Sequence, residues 1–341
     1  MGKLYASIAI SFIILLIINI TFVIINVVFW ATNGLQALLH GMNFVESVYY
    51  STYLKWIILT DILWIIATII FIFKRKHYKT NTMLHYLSSV SITHPKICVI
   101  IPTYNEELVV ERVIKDYLNQ KNVQNVIVVD NCSKDKTVEI AEKWGVTVIK
   151  KNTNLGYAHS CVMGLKESLK TDANIIVLTE ADNTFSGNDL AKMIPYLDNC
   201  DMVIGTRQIQ VLSEKGNQNK MFYVWGNFFL AKLVQIKYFS LLHMGIVALT
   251  DVGCSYRCIK RNALEKIIDK FTYPGTDQVI VSAKSGLFAL FMTILAIEND
   301  LKIVEVPITF RKRIGVSKTQ SDNKLKAIGY GLEFLWYILR S

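Results

Sequence analysis

Ile97-Cys98-Val99-Ile100-Ile101-Pro102-Thr103-Tyr104-Asn105-Glu106 decides the fold. A short apolar run stops at a proline and gives way at once to polar side chains. Bounded runs of this length read as buried strands. Four more follow, at 126–129, 146–149, 175–178 and 202–205. Between them, 108–118, 136–144 (closed by Gly145), 157–169 and 190–197 have helical spacing of apolar residues. Strands alternating with helices predict an α/β domain: a mostly parallel sheet with helices on both faces.

Ligands of open α/β sheets gather at the carboxyl ends of the strands. The chemically capable residues of this chain lie there. The first strand leads into Pro102, Tyr104 and Glu106, and the second ends in Asp130-Asn131-Cys132-Ser133-Lys134-Asp135. The fourth ends in Glu180-Ala181-Asp182 and the fifth in Gly205-Thr206-Arg207. Four strand ends of this content predict one shared site. In extended backbone Glu180 and Asp182 point the same way, and paired carboxylates suit Mg²⁺ or Mn²⁺ and, through it, a diphosphate. The spacing alone equally describes two solvated loop acids. Asp130 can accept from a base or ribose or form a local turn, with Asp135 capping the next helix. Arg207 can fork onto a phosphate or form a surface ion pair.

Other chemistries lack their residues. There is no G-x-G-x-x-G after the first strand, no phosphate loop and no G-x-S-x-G elbow. The six histidines are scattered, which argues against zinc. No basic stripe with interleaved aromatics points to nucleic acid.

The chain has 341 residues, is 52% hydrophobic and 19% charged, and carries a formal +10. Residues 1–73 balance Lys3 and Lys55 against Glu46 and Asp61, so the whole excess falls later. Tyr5 to Trp30 is almost unbroken apolar sequence, and a second run spans Tyr53 to Phe73. Each matches the ~20 residues that cross a bilayer, which predicts an N-terminal two-helix transmembrane hairpin. The loop at 31–52 lacks Lys and Arg, whereas Lys74, Arg75, Lys76 and Lys79 follow the second run. The positive-inside rule then places the N-terminus and the catalytic part in the cytoplasm. There the six cysteines read as reduced core residues. Asp61, inside the second run, is expected to face Lys55 or water or to bond the first helix.

The expected domains are the hairpin with its basic flank at 1–79, a linker at 80–95, an α/β domain at 96–320 and an amphipathic helix at 321–341. Within the third, 221–249 mixes Phe, Tyr, Leu and Val with Lys232 and Lys237. This suits an interfacial helix on anionic lipid or a helix packed on the sheet. The apolar helix at 288–297 allows the same two placements.

Together these residues resemble glycosyltransferase family 2, the inverting GT-A enzymes that use nucleotide-diphosphate sugars. Pro102 to Glu107 looks like that family's first-strand motif. Asp130 to Thr137 is similar to its D-(D/G)-x-S-x-D-x-T segment, with Asn131 where a second Asp often stands. Asn154-Leu155-Gly156 matches its N-x-G stretch, and Glu180-Ala181-Asp182 stands at its D-x-D position with Glu in first place. Gly205-Thr206-Arg207, Asp251 to Arg257, Val304 to Arg311 and Arg313 to Lys318 are similar to its polyprenyl-phosphate (dolichyl-phosphate) sugar synthases.

The resemblance implies nucleotide-sugar binding by Pro102, Tyr104, Glu106, Asp130, Ser133, Asn154, Gly156 and Glu180. It implies metal binding by Asp182 and Glu180, and lipid-phosphate binding by Arg207, Arg313 and Lys318. A phosphate acceptor is already anionic and needs no base. Asp277 lies near the place where processive relatives carry a catalytic acid and would serve if the acceptor were a glycolipid hydroxyl. A processive synthase is disfavoured, since the chain has no Arg-Trp dipeptide. An inactive membrane scaffold is the remaining alternative, motivated by Glu180 and Asn131.

Overall fold

The computed structural model describes residues 2–40, 52–74, 90–214, 221–238, 248–281, 286–315 and 324–341. It divides into two compact units, Met1–Lys76 with Trp336–Ser341, and His77–Leu335.

The first unit contains α1 (Gly2–His40) and α2 (Thr52–Lys74). The stretch Ile13–Asn33 of α1 is long and apolar enough to cross a membrane, and very little of it is buried. Among the described residues it is the one helix that meets this test. The two helices touch through stacked Phe22 and Trp56 and through Asn19, whose Nδ2 donates to Thr60 Oγ1 (3.2 Å) and Asp61 Oδ1 (2.5 Å). Asp61 therefore bonds to the first helix.

The second unit is built on seven strands: β1 (Ile97–Thr103), β2 (Val123–Asp130), β3 (Thr147–Lys150), β4 (Ile175–Leu178), β5 (Met202–Thr206), β6 (Arg257–Lys260) and β7 (Ile303–Pro307). Their order is β3-β2-β1-β4-β6-β5-β7. β1, β2, β3 and β4 run parallel, as do β5 and β7, while β6 is inserted antiparallel between β4 and β5. The five expected strands are present; β6 and β7 are additions.

The helices follow as α3 (Val110–Leu118), α4 (Thr137–Lys143), α5 (Tyr157–Ser168), α6 (Leu190–Met193, continued as 3₁₀ to Asp198), α7 (Met221–Tyr238), α8 (Arg261–Ile267), α9 (Leu287–Glu298) and α10 (Lys324–Arg340). Val110, Val113, Ile114 and Tyr117 of α3 join Ile97, Val99, Ile101, Val126 and Val128 in one core cluster. Alternate strand residues face α5, and there Gly164 permits the closest approach: an added Cβ would lie 2.3 Å from Ile100 Cγ2 and 3.1 Å from Val129 Cγ2.

α9 is buried from Leu287 to Ile297, with Phe288 and Phe291 packed on Phe271, so it is a core helix and not a membrane contact. Five of the six cysteines are buried as expected; Cys132 is half-exposed in the loop after β2. Of the expected linker, 80–89 lies outside the described residues, as do 239–247 of the apolar segment after α7.

The contact at Gly164 makes a prediction. Gly164→Val forces overlap with two strand side chains and should lower stability by about 1–3 kcal/mol, read as a drop in the thermal unfolding midpoint. An unchanged midpoint would contradict the packing described.

Candidate active site

Residues at four strand ends carry the site, and reciprocal hydrogen bonds lace their loops together. After β1, the backbone N–H groups of Asn105, Glu106 and Glu107 donate to Ser133 Oγ (2.9 Å), Thr137 Oγ1 (2.8 Å) and Asp135 Oδ2 (3.1 Å). The Lys134 and Lys136 amides answer by donating to Asn105 Oδ1 (2.8 Å) and Glu107 Oε2 (3.0 Å). Partial burial opposes ionisation of Asp135, yet hydrogen bonds from Thr137 hold its carboxyl below the ordinary range. Asn131, the departure from the family motif, has its own task. Its Nδ2 donates to Asn154 Oδ1 (2.7 Å) and its Oδ1 accepts the Leu155 amide (3.1 Å), fixing the β3–α5 loop. Gly156 closes that loop with φ +89°, a left-handed conformation that favours glycine.

Asn105, Cys132 and Asn183 also have positive φ, at +52°, +66° and +64°. They follow β1, β2 and β4, while the other two such residues, Asn122 and Asp300, lie in turns before β2 and β7. Asp130 is buried; its Oδ2 accepts the Ser133 amide at 3.0 Å, and its Oδ1 has no partner.

The acid pair follows β4. Asp182 is buried, and its Oδ1 accepts from the Thr184 amide (3.1 Å) and hydroxyl (2.5 Å). Its Oδ2 lies 2.7 Å from Arg313 Nη2, and Glu180 Oε2 lies 3.7 Å from the same nitrogen. Glu180 Oε1 accepts from the Ser255 hydroxyl. Burial first, and then the charge of Asp182, push the Glu180 carboxyl up to about 7. The expected neighbours are therefore together, with a guanidinium beside both.

Arg207 is held in a buried fork: Nε donates to Asp251 Oδ2 at 2.6 Å and Nη2 to Oδ1 at 2.7 Å. Burial opposes the charge on Asp251, but Arg207 keeps its carboxyl below the ordinary range. Glu305 on β7 accepts the Asp251 and Thr250 amides (2.9 and 2.8 Å). At Gly253 the fork passes close to the backbone: an added Cβ would stand 3.1 Å from Arg207 Nη2, so a larger residue would require the guanidinium to shift. Asp251 and Glu305 were legible only as motif letters; their bonding to Arg207 and its loop was not.

Glu180, Arg207 and Arg313 line a cavity of about 430 Å³. Its walls are apolar, from Tyr223, Phe229 and Leu230 of α7 and from Ile328, Leu332 and Phe334 of α10. Asp277 lies elsewhere. It pairs with Lys166 at 3.3 Å and lines a second cavity of about 490 Å³ with Leu155, His159 and Tyr273. Lys318 lies outside the described residues. Two further buried cations escaped sequence reasoning: Arg257, quoted there only within a motif, whose Nε and Nη2 both donate to the Cys254 carbonyl, and Lys151 beyond β3.

Among the described residues no three His, Cys, Asp or Glu side chains converge on a metal position. Two carboxylates with substrate phosphates are, however, a normal Mg²⁺ arrangement. The donor set fits: Glu180 and Asp182 offer hard carboxylate oxygens side by side in a partly dry cleft, and a divalent cation there would offset the burial and like charge that raise the Glu180 carboxyl.

The geometry defines one polar cleft, with an acid pair and two guanidinium groups, at the carboxyl edge of this mixed sheet. Residues 98–268 match the family model for Glycosyl transferase family 2, and the chain belongs to that family. It is 28% identical to polyprenol monophosphomannose synthase of Mycolicibacterium smegmatis, over 67% of this chain and 83% of the relative. To UDP-N-acetylglucosamine--dolichyl-phosphate N-acetylglucosaminyltransferase of Methanococcus voltae it is 29% identical, over 62% of this chain and 84% of the relative. Glucosyl-3-phosphoglycerate synthase of Mycobacterium tuberculosis, crystallised with Mn²⁺, UDP-glucose and phosphoglyceric acid, shares the fold. Its TM-score is 0.50 at 16% identity, covering 76% of this chain and 84% of that one. The protein is a family 2 glycosyltransferase.

Two measurements check the electrostatics. Asp251→Ala strands the buried Arg207 charge and should cost about 3–5 kcal/mol of stability; a loss under 1 kcal/mol counts against a buried pair. Glu180 holds its proton up to about 7 when folded, against an ordinary 4.5. Its stabilising contribution is complete below about 4.5 and disappears as pH rises through 7. In chelator-treated protein, Glu180→Gln should therefore gain stability relative to wild type between pH 5 and 7.

Proposed function

We propose that the chain transfers a hexose-type sugar, with inversion, from a nucleoside-diphosphate sugar to a polyprenyl (dolichyl-type) phosphate at a membrane surface. The observation that carries this reading is the cavity in which Arg207 and Arg313 stand beside the acid pair under apolar walls from α7 and α10. A charged end and an oily end in one cavity match a lipid phosphate. The two relatives named above act on polyprenol and dolichyl phosphate by their names, which supports the same acceptor class.

In the proposed reaction an acceptor phosphate oxygen attacks the anomeric carbon as the bond to the leaving diphosphate breaks. Asp130, Asn154 and the loop from Pro102 to Glu106 with Ser133 hold the nucleotide, while Arg207 and Arg313 orient the acceptor phosphate. Arg207 comes already fixed by Asp251, so little freedom is lost when the phosphate binds. Glu180 and Asp182 would hold Mg²⁺ or Mn²⁺, which supplies charge neutralisation for the departing diphosphate. No base is required, in keeping with Asp277 lying on a different cavity.

The membrane side of the reading rests on α1 and on α7. α7 exposes Trp225, Phe228, Phe229 and Ile236. Of its lysines, Lys232 donates to the Leu249 carbonyl at 3.2 Å and lies over the exposed Phe228 ring (4.9 Å to the centroid), and Lys237 is buried. An interfacial α7 therefore works through aromatic and apolar contact. We further propose that α2 forms a second membrane pass and that the catalytic unit lies in the cytoplasm, from the basic residues at 74–79.

The test is a panel of radiolabelled nucleotide sugars with polyprenyl phosphate on purified membranes. Label should enter the organic phase only when lipid phosphate is added, and Asp182→Ala should lower the rate at least about 100-fold. Full activity in that variant, or transfer that ignores the lipid phosphate, would overturn the proposal.

A further inference from the structure

Glu180 is a methylene longer than the aspartate of the D-x-D pattern, and the extra torsion lets its carboxyl swing. That freedom has to be frozen before the two acids can share an ion. The restraint comes from β6. Leu178 pairs with Arg257 in the antiparallel ladder of β4 and β6. Carried on past the strands, this register sets Ser255 opposite Glu180, the placement in which side chains of an antiparallel pair meet. Ser255 is only 3% exposed, and its hydroxyl donates to Glu180 Oε1.

The neighbours of Ser255 fix it in place. Arg257 turns its Nε and Nη2 back onto the Cys254 carbonyl (3.2 and 3.1 Å), which closes the turn that bears Ser255. The Tyr256 hydroxyl donates to the Ser186 carbonyl at 3.0 Å, and the Tyr256 carbonyl accepts the Gly205 amide at 2.9 Å. Both side chains are buried. The two acids are then treated alike. Asp182 Oδ1 is held by the Thr184 amide and hydroxyl, and Oδ2 lies 2.7 Å from Arg313 Nη2. Glu180 Oε1 is held by Ser255, and Oε2 lies 3.7 Å from the same nitrogen. The aspartate carboxyl stays near its own backbone, so a threonine two residues on can hold it. The glutamate carboxyl stands further out, and a residue of the neighbouring strand has to do so.

We propose that Ser255 is the positioning residue that lets a glutamate serve as the first acid of the pair: its hydroxyl ties down Oε1 and leaves Oε2 on the side of Arg313 and Asp182. The inference rests on the reading of the acid pair as a divalent-cation seat and names what shapes that seat in this chain. Ser255 acts through Glu180 and has no contact of its own with the ion or the sugar. Its removal should therefore weaken the ion's hold, and only while residue 180 is long enough to reach the hydroxyl.

The experiment is electron paramagnetic resonance of Mn²⁺ titrated into the full chain in detergent, alone and with UDP or GDP. Wild type, Ser255→Ala, Glu180→Asp and the double variant are compared, each with its thermal unfolding midpoint. Ser255→Ala should weaken Mn²⁺ binding about tenfold. Glu180→Asp withdraws the carboxyl from the hydroxyl's reach, and in that background Ser255→Ala should cost less than about twofold. A general disturbance of the fold would weaken binding equally in both backgrounds, and that outcome overturns the inference. So does wild-type affinity in Ser255→Ala. Either result leaves the cation seat standing, provided that wild type binds Mn²⁺ and Asp182→Ala releases it. No bound Mn²⁺ in wild type under any of these conditions overturns the seat itself, and the inference with it.

Discussion

Two carboxylates flanking a single residue at the end of a buried strand repel each other, and a cation beside them relieves that cost. This constraint organises the catalytic unit. β4 is buried along its length, and Glu180 and Asp182 follow it into the cleft. Burial above all, and then the like charge of Asp182, push the Glu180 carboxyl up. The segment after β7 brings the relief. The Arg311 amide donates to the Thr184 carbonyl at 2.8 Å, the Ile314 amide to the Asp182 carbonyl at 3.2 Å, and Arg313 lies between the acids. The chain beyond β7 is thereby pinned along the strand end that it neutralises.

Arg207 solves the same problem in reverse. A buried guanidinium is acceptable because Asp251 forks onto it, and Asp251 in turn is placed by backbone bonds to Glu305 on β7. The edge strand β7 therefore supports both sides of the phosphate end, through Glu305 and through the segment carrying Arg313. A short antiparallel β6 between β4 and β5 sets the spacing between the acid pair and Arg207.

Much of this was legible in the sequence where the signal is local. The strand at 97–101 and its four successors announce themselves by bounded apolar runs, and polar residues after them mark the cleft. What failed to show was long-range. Arg257 to Lys260 is too short and too mixed to signal a strand, and its place between β4 and β5 follows from pairing across more than forty residues. Lys151 is buried while its neighbour Lys150 is exposed, and nothing local in Lys150-Lys151 tells which is folded inward. Asn131 looked like a lost acid, whereas its amide can donate to Asn154 and accept from Leu155 at once, which a carboxylate cannot. The lysines of α7 suggested a basic lipid face, whereas Lys237 is buried and Lys232 is held by the Leu249 carbonyl and the Phe228 ring.

If the acid pair is a cation seat, Mn²⁺ should report it directly. Electron paramagnetic resonance of Mn²⁺ titrated with UDP or GDP should show one bound ion per chain, and Asp182→Ala should release it into the free-ion spectrum. The same bound signal in Asp182→Ala as in wild type would place the ion elsewhere and contradict the account.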